Sequence, residues 1–558
     1  MPPAEQDRTG AAEPDIAVVA PERDSTESAP IGKPHTSATA LSRAKRRRTI
    51  LRSLELPIAV LAIAAVMSAI QFAGPAILDN DGYYHIRWAS LLRENFPHLP
   101  AFKALPFTTL DETHYVDHHY LFHVLLFPFT LGDSRLGAKT AAVFFSSLGI
   151  ASVFALLWFY RVRWRWIWLV PLVASSEPFL YRMSMTRAPA LSLLLLAMGT
   201  LLILKRKPIL LAVLSFAFVW SYSLFPLMLV FALAYSFTIY VSERRIDLWG
   251  PIASAIGIAA GLVINPYFPK NLGLFREHLL MKATGEYPVE VGVEWYTYES
   301  WYMLVSSAVA FTIFFLALIA FEYRDRIRDP KPLFFLIVSA VLLLISIKSR
   351  RFLEYYPPFA VAFGAFTISP KLERVSYAWL QRTRDRVIAS IAAALVVVIA
   401  TPVCAVVFFQ ARAEIKEESS PYEYKGASEY IAAHSAPGAT IFNTDWDAFP
   451  ALFYYNPDYS YIAGLDPSYM YDRDPDLWKL YDKINNGDQE NMGQMIRERF
   501  GAAYVVTGNG DSDFLSSAGD DPDLERVYED PGAVVLRVRS ADEPHPAKEE
   551  KDNESEQQ

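Results

Sequence analysis

The chain has 558 residues, 52% of them hydrophobic and 20% charged, with a net charge of −8 and one cysteine. Its apolar residues gather between residues 53 and 409 in runs of about 15–22 residues almost free of charge, the length and purity of membrane-spanning helices. This excludes a soluble cytosolic enzyme and a largely disordered chain, and the lone Cys404 excludes an intrachain disulfide.

Residues 1–50 are rich in Pro, Ala, Ser, Thr and charge, and read as a disordered cytoplasmic segment with no cleavable leader. Arg43, Lys45 and Arg46–Arg48 then anchor a first span at 53–74 on the cytoplasmic side. A polar outer loop follows, and with it the short apolar stretch 119–132, read as a helix lying on the membrane surface. Further spans are expected at 138–160, 164–182, 188–204, 208–222, 225–241, 249–266, 302–321, 332–348, 354–369 and 388–409, about eleven in all. The loops holding Arg161/Arg163/Arg165, Lys205–Lys207, Arg244/Arg245, Arg324/Arg326/Arg328 and Lys371/Arg374 then all face the cytoplasm. The transmembrane domain is 51–410, with outer loops 75–137 and 266–300.

Residues 410–558 carry 31 acids and 13 bases, a charge of −18, which leaves +10 on the rest. That acidic part sits on the outer face. Its segment 411–540 reads as strands near 439–443, 459–463, 502–507, 525–529 and 533–538 alternating with helices, a small α/β domain. Residues 541–558 are a charged, disordered tail. No internal repeat is present, so an inverted-repeat transporter gains no support.

The outer-face segments hold the polar clusters. Asp79-Asn80-Asp81 opens the first loop, followed by Tyr83-Tyr84-His85-Ile86-Arg87. Two carboxylates at this spacing can share Mg²⁺ or Mn²⁺, or one can act as a general base; a helix cap in a solvated loop is the bland alternative. Asp117-His118-His119 ends the loop, and its adjacent histidines point apart, which disfavours zinc. Glu177 stands near a span end. The long loop holds Glu286, Glu290 and Glu294-Trp295-Tyr296, acids beside aromatics as a sugar or lipid-phosphate site needs and as an interfacial belt also has. Arg350 and Arg351 lie on the outer side, against the positive-inside rule; a phosphate would explain them, and so would Glu354 or an outer-loop carboxylate. In the C-terminal segment, Asp445-Trp446-Asp447 follows a strand, where α/β domains place binding groups, although Asp445 or Asp447 could equally cap the next helix. Asp466–Tyr471 is turn chemistry that would face the same site.

Together these features resemble the GT-C membrane glycosyltransferases, and within them the oligosaccharyltransferase catalytic subunits. Asp79–Arg87 is similar to that family's first-loop acidic stretch, Arg350–Tyr355 to its Arg-Phe-x-x-Tyr stretch, and Thr444–Asp447 to its Trp-Trp-Asp motif. The resemblance implies Asp79 and Asp81 as catalytic, and Arg350, Arg351, His85 and Arg87 as donor-phosphate ligands. It implies Trp446, Asp447 and Asp445 on the acceptor side. It implies a metal on Asp79, Asp81, Glu290 and Glu294, with Glu177 a further candidate. The family's second acidic motif, between spans 3 and 4, is here Met185-Thr186-Arg187-Ala188-Pro189, with no acid.

The function expected is therefore transfer of a sugar or glycan from a polyprenyl phosphate or pyrophosphate to a glycan, lipid or protein acceptor at the outer face. A divalent cation or a metal-free mechanism both remain open, and no nucleic acid is involved. A multi-pass bacterial inner-membrane protein with a periplasmic or extracellular C-terminal domain fits. The alternatives are a non-catalytic GT-C-like envelope or lipid-glycan-binding protein, and, more weakly, a transporter.

Overall fold

A computed structural model describes residues 38–276, 289–379, 383–418 and 420–544. Most of the N-terminal segment read as disordered, the end of the acidic tail, and Glu286 lie outside the described residues. The chain divides into Met1–Leu54 and Glu55–Gln558. The described part of the first unit is the start of helix α1 (Ala38–Gln71). The second unit holds a helical bundle and a five-stranded sheet.

In the bundle, α2 (Asp81–Asn95) and the short α3 (Tyr120–Leu126) lie in the segment between α1 and the next long helix. They are followed by α4 (Ser134–Phe159), α5 (Arg165–Ala174), α6 (Glu177–Ser184), α7 (Pro189–Leu204), α8 (Pro208–Ser221), α9 (Pro226–Glu243) and α10 (Trp249–Val263). Helices at Ser300–Ser306, Ala308–Ala320, Lys331–Lys348, Tyr356–Trp379 and Thr383–Glu417 complete it.

Among the described residues, four helices are long and apolar enough to cross a membrane, or six if each sharply bent pair is one span. The fold therefore departs from a set of eleven regular spans. The run expected at 164–182 is two helices, broken where Ser176 turns extended and its side chain caps α6. Next, α6 meets α7 at 107°, and Ser300–Ser306 meets Ala308–Ala320 at 82°. With 10, 14 and 15 residues, α5, α8 and α10 fall short of the roughly 20 that span a bilayer upright. The apolar stretch 119–132 forms α3 followed by a tight turn at Phe127–Thr130.

Loops assigned to one side of the membrane pair with one another: Arg163 with Glu373 at 2.6 Å, Lys371 with Glu322, and Arg206 with Asp247. Packing between α8 and α10 uses small residues. Ala253, Gly257 and Gly261 fall four apart on the buried face of α10. A Cβ on Gly257 would lie 2.1 Å from the Ala212 carbonyl oxygen of α8, so the backbones meet directly.

The C-terminal sheet has the order β2-β1-β3-β5-β4, from β1 (Thr440–Asn443), β2 (Ser460–Tyr461), β3 (Tyr504–Gly508), β4 (Leu524–Glu529) and β5 (Ala533–Val538). The β1 strand runs parallel to β2 and β3, whereas β5 is antiparallel to β3 and β4. The central β1, β3 and β5 are buried almost throughout, and the edge strand β4 is mostly not.

An aromatic core joins this domain to α2 and the segment that follows it. Tyr84 and Trp88 of α2 pack with Phe102, Tyr115, Phe449 and Phe453. Side chains of this size bury roughly 150–250 Å² each, enough to fix α2 against the sheet domain.

Gly257→Leu should force α8 and α10 apart and lower the melting temperature of the detergent-purified protein steeply, since overpacking costs about 1–3 kcal/mol even where neighbours can yield. Gly273→Ala, whose Cβ meets nothing within 4 Å, should leave the melt unchanged.

Candidate functional site

The site begins at the turn into α2. Asp79 has a φ of +68°, in the left-handed region that aspartate tolerates better than most residues. The next residue, Asn80, reaches across to the sheet domain, its Nδ2 donating to the Asp447 carbonyl oxygen at 3.2 Å and to Asp447 Oδ2 at 3.1 Å. The acidic stretch of the first loop and the Asp-Trp-Asp stretch after β1 are thus tied directly.

Arg187 stands at the elbow between α6 and α7. Its guanidinium lies 3.2 Å from Asp79 Oδ2, 3.0 Å from Asp81 Oδ2 and 3.5 Å from Glu294 Oε1. Glu294, on the tight turn Val293–Trp295 of the long loop, also meets Arg182 at 3.2 Å and Arg351 at 3.1 Å. Three guanidiniums therefore share one carboxylate. Behind them, Arg182 donates to Glu354 at 3.0 Å, and Arg351 donates to the Tyr222 hydroxyl at 2.8 and 3.1 Å. Tyr222 in turn donates to Glu354 at 3.3 Å. The loop carrying Glu294 is clamped by its backbone: Ser349 Oγ donates to the Glu294 carbonyl at 2.9 Å, and the Arg350 N–H to that of Tyr296 at 3.0 Å.

Burial and charge pull the acids apart. Burial pushes Glu294 up, but Arg351, Arg187 and Arg182 together hold it well below the usual carboxylate range. At Asp79 and Asp81 burial wins instead, raising both above 3.8 despite Arg187. Burial also pushes Asp447 up to about 7, with Asp445 and Asp81 adding to it.

A cavity of about 550 Å³ opens between the bundle and the sheet domain. Asp79, Asp81, Glu177, Glu290, Glu294, Arg350, Trp446 and Asp447 all line it, so eight residues singled out from the sequence converge there, from five separate stretches. Arg182, Arg187, Asp466 and the rings of Trp295, Tyr298 and Tyr302 complete the polar and aromatic walls. Glu177 accepts from the Tyr302 hydroxyl at 2.9 Å.

The two arginines of the Arg350-Arg351 pair differ. Arg351 is buried and committed to Glu294 and Tyr222, as the pairing alternative anticipated. Arg350 lines the cavity, lies over the Tyr298 ring at 4.5 Å and donates to the Thr297 carbonyl at 3.1 Å. Its Nε has no hydrogen-bond partner among the described residues.

The other candidates lie to the side. His85 lines a second cavity of about 80 Å³, which shares Asp81, Arg187 and Glu294 with the first. It shares a hydrogen bond of 2.8 Å with His123, which shares one of 2.7 Å with Asp117. Burial, then His123 and Arg187, hold His85 well below its usual value and so uncharged. Arg87 is not among the residues lining either cavity. Asp445 caps the turn after β1, accepting from the Asp447 N–H at 2.8 Å, and faces a third cavity with Asn80.

Sequence reasoning had passed over Arg182, Arg187, Tyr222 and Asn80. Only Arg187 carried a signal, as a base where the resembling family has an acid.

No protein-family model and no curated protein matches the chain by sequence. Solved structures do match its fold. One is the archaeal oligosaccharyltransferase AglB from Archaeoglobus fulgidus in complex with an inhibitory peptide and a dolichol-phosphate, with a TM-score of 0.59 at 14% identity, covering 88% of this chain and 75% of that one. The Archaeoglobus fulgidus oligosaccharyltransferase in complex with Zn and sulfate matches at 0.55 and 14%, covering 87% and 74%. ArnT from Cupriavidus metallidurans in the apo state matches at 0.53 and 15%, covering 88% and 98%. The chain therefore shares the fold of these oligosaccharyltransferase and ArnT structures.

Because Glu294 balances three buried guanidiniums, Glu294→Ala should destabilise the detergent-purified protein by about 3–5 kcal/mol, read as a lowered melting temperature. Glu290→Ala, on the same loop, should leave the melt near wild type.

Proposed function

We propose that the protein transfers a sugar or glycan from a polyprenyl phosphate or pyrophosphate to an acceptor at the outer face of a membrane. One observation carries this reading. A single cavity gathers Asp79 and Asp81, whose pKa values burial raises, with Arg350, aromatic walls and the Trp446-Asp447 stretch of the sheet domain. The likeness to an archaeal oligosaccharyltransferase that binds a dolichol-phosphate supports a lipid-phosphate donor.

The acceptor's nucleophile attacks the anomeric carbon. The bond from that carbon to the phosphate oxygen breaks, and the polyprenyl phosphate or pyrophosphate leaves with the electron pair. Arg350 binds the phosphate through charge-assisted hydrogen bonds, and Arg187 adds a second positive charge beside it. Asp81, or Asp79 beside it, takes the acceptor's proton. Trp295, Tyr298 and Tyr302 cover the apolar faces of sugar and prenyl chain, and Trp446 and Asp447 border the acceptor side. The positive loops holding Arg163, Arg206 and Lys371 lie on the cytoplasmic side, the sheet domain on the periplasmic or extracellular side, and a bacterial inner membrane is the setting.

Arg350→Ala should weaken binding of a short-chain polyprenyl phosphate about tenfold or more, because a hydrogen bond to a charged group contributes about 1.5–3 kcal/mol. Asp81→Asn should keep that binding and abolish sugar transfer in membrane vesicles. Near-normal turnover in this variant, or no binding of several such lipids by the wild type, would sink the reading.

A base with a raised pKa is protonated, and idle, until the pH exceeds it. Transfer should therefore fall on acidification through a range well above 3.8, the ordinary aspartate value. A flat pH–rate profile down to that value would contradict a base in this pair.

A further inference from the structure

Asp79, Asp81 and Glu294 come from two separate outer loops, and each turns an oxygen to the same group. That group is the Arg187 guanidinium, at 3.2, 3.0 and 3.5 Å. This is the place where a divalent cation held by those acids would sit, and the residues do not fit one. Mg²⁺ requires carboxylate oxygens at about 2.0–2.1 Å in near-octahedral array. Here the space between the oxygens is filled by a planar cation that cannot lose its proton. Among the described residues, no three His, Cys, Asp or Glu side chains stand close enough together to hold a metal ion.

The local fold keeps Arg187 there. Its stretch ends α6 at Ser184 and starts α7 at Pro189, with the helices bent by 107°, so residue 187 sits at the elbow. Thr186 Oγ1 anchors the elbow by donating to the Ala138 carbonyl at 3.0 Å. Charge points the same way. Arg182, Arg187 and Arg351 already set three positive groups against Asp79, Asp81 and Glu294, with Glu354 a fourth acid on the far side of Arg182. A divalent ion would have to expel Arg187 and break its ion pairs with Asp79, Asp81 and Glu294 to enter.

We infer that Arg187 is a built-in substitute for a divalent cation. It neutralises the acidic stretch and meets the phosphate of the donor, and the protein takes no metal at this place. The part that concerns the phosphate rests on the glycosyltransferase reading; the part that concerns the metal does not.

The test uses the full chain, purified in detergent and stripped with EDTA, to which Mn²⁺ is added while free Mn²⁺ is followed by electron paramagnetic resonance. Wild type should leave Mn²⁺ free at micromolar concentrations. Arg187→Ala should bind one Mn²⁺ per chain, at least about tenfold more tightly. Adding Asp81→Asn to Arg187→Ala should remove that binding. One Mn²⁺ on the wild type, lost on Asp81→Asn, overturns the inference, and so does an Arg187→Ala protein with no gain. If Arg187→Ala does not fold, Arg187→Gln, which keeps bulk and donors, should show the same gain, and the wild-type result decides by itself. Farnesyl phosphate should bind the wild type equally in EDTA and in excess Mn²⁺. Binding that needs Mn²⁺ overturns the inference. No binding in either buffer overturns the phosphate part together with the glycosyltransferase reading, while the Mn²⁺ result still decides the metal part.

Discussion

The carboxylate of Glu294 is shared by Arg182, Arg187 and Arg351, and most of the site follows from that arrangement. A buried guanidinium without a partner is expensive, and three of them gathered at one point would repel one another. Glu294 makes the cluster tolerable, and doing so fixes the loop that carries it against the Ser349–Arg351 turn. It also sets how the remaining charges are distributed. Arg351 is used up by Glu294 and Tyr222, Arg187 is turned towards the aspartates, and Arg350 is left facing the cavity. The difference between Arg350 and Arg351 is one of geometry, since the residue types are the same.

The second constraint is the aromatic core around Tyr84 and Trp88, which holds α2 to the sheet domain. Without it, the acids at the start of α2 and the Trp446-Asp447 stretch would sit on parts free to move apart. Asn80 adds a polar stitch between them at 3.1 Å. The cavity thus has one wall from the bundle, one from the first loop, one from the long loop and one from the sheet domain. A reaction between a lipid-borne donor and a separate acceptor needs such a meeting of parts, because orientation supplies a large share of the rate.

Much of this was legible in the sequence for physical reasons. Apolar length located the helices, and strand–helix alternation after residue 420 located the sheet, whose five strands fall within a few residues of the expected ones. Acids and arginines on an outer face are costly or unusual enough to stand out, and this drew attention to Asp79, Asp81, Glu294 and Arg350. The breaks at Ser176 and Ser307 stayed hidden because hydropathy averages over them. Arg182 and Tyr222 stayed hidden because a lone polar residue near a helix end carries no sign of its distant partners. Arg187 was visible only as a missing acid. Its place between Asp79 and Asp81 comes from three-dimensional arrangement alone, since Asp79 and Arg187 are 108 residues apart.

On the reading proposed above, one cavity holds a lipid phosphate beside an arginine standing where a metal would otherwise sit. The most direct measurement is an experimental structure of the full chain with a short-chain polyprenyl phosphate, prepared in the presence of Mn²⁺. The phosphate should lie against Arg350 in the cavity of about 550 Å³, with Arg187 still between Asp79 and Asp81. A phosphate bound elsewhere, or a Mn²⁺ ion between the aspartates with Arg187 swung away, would contradict it.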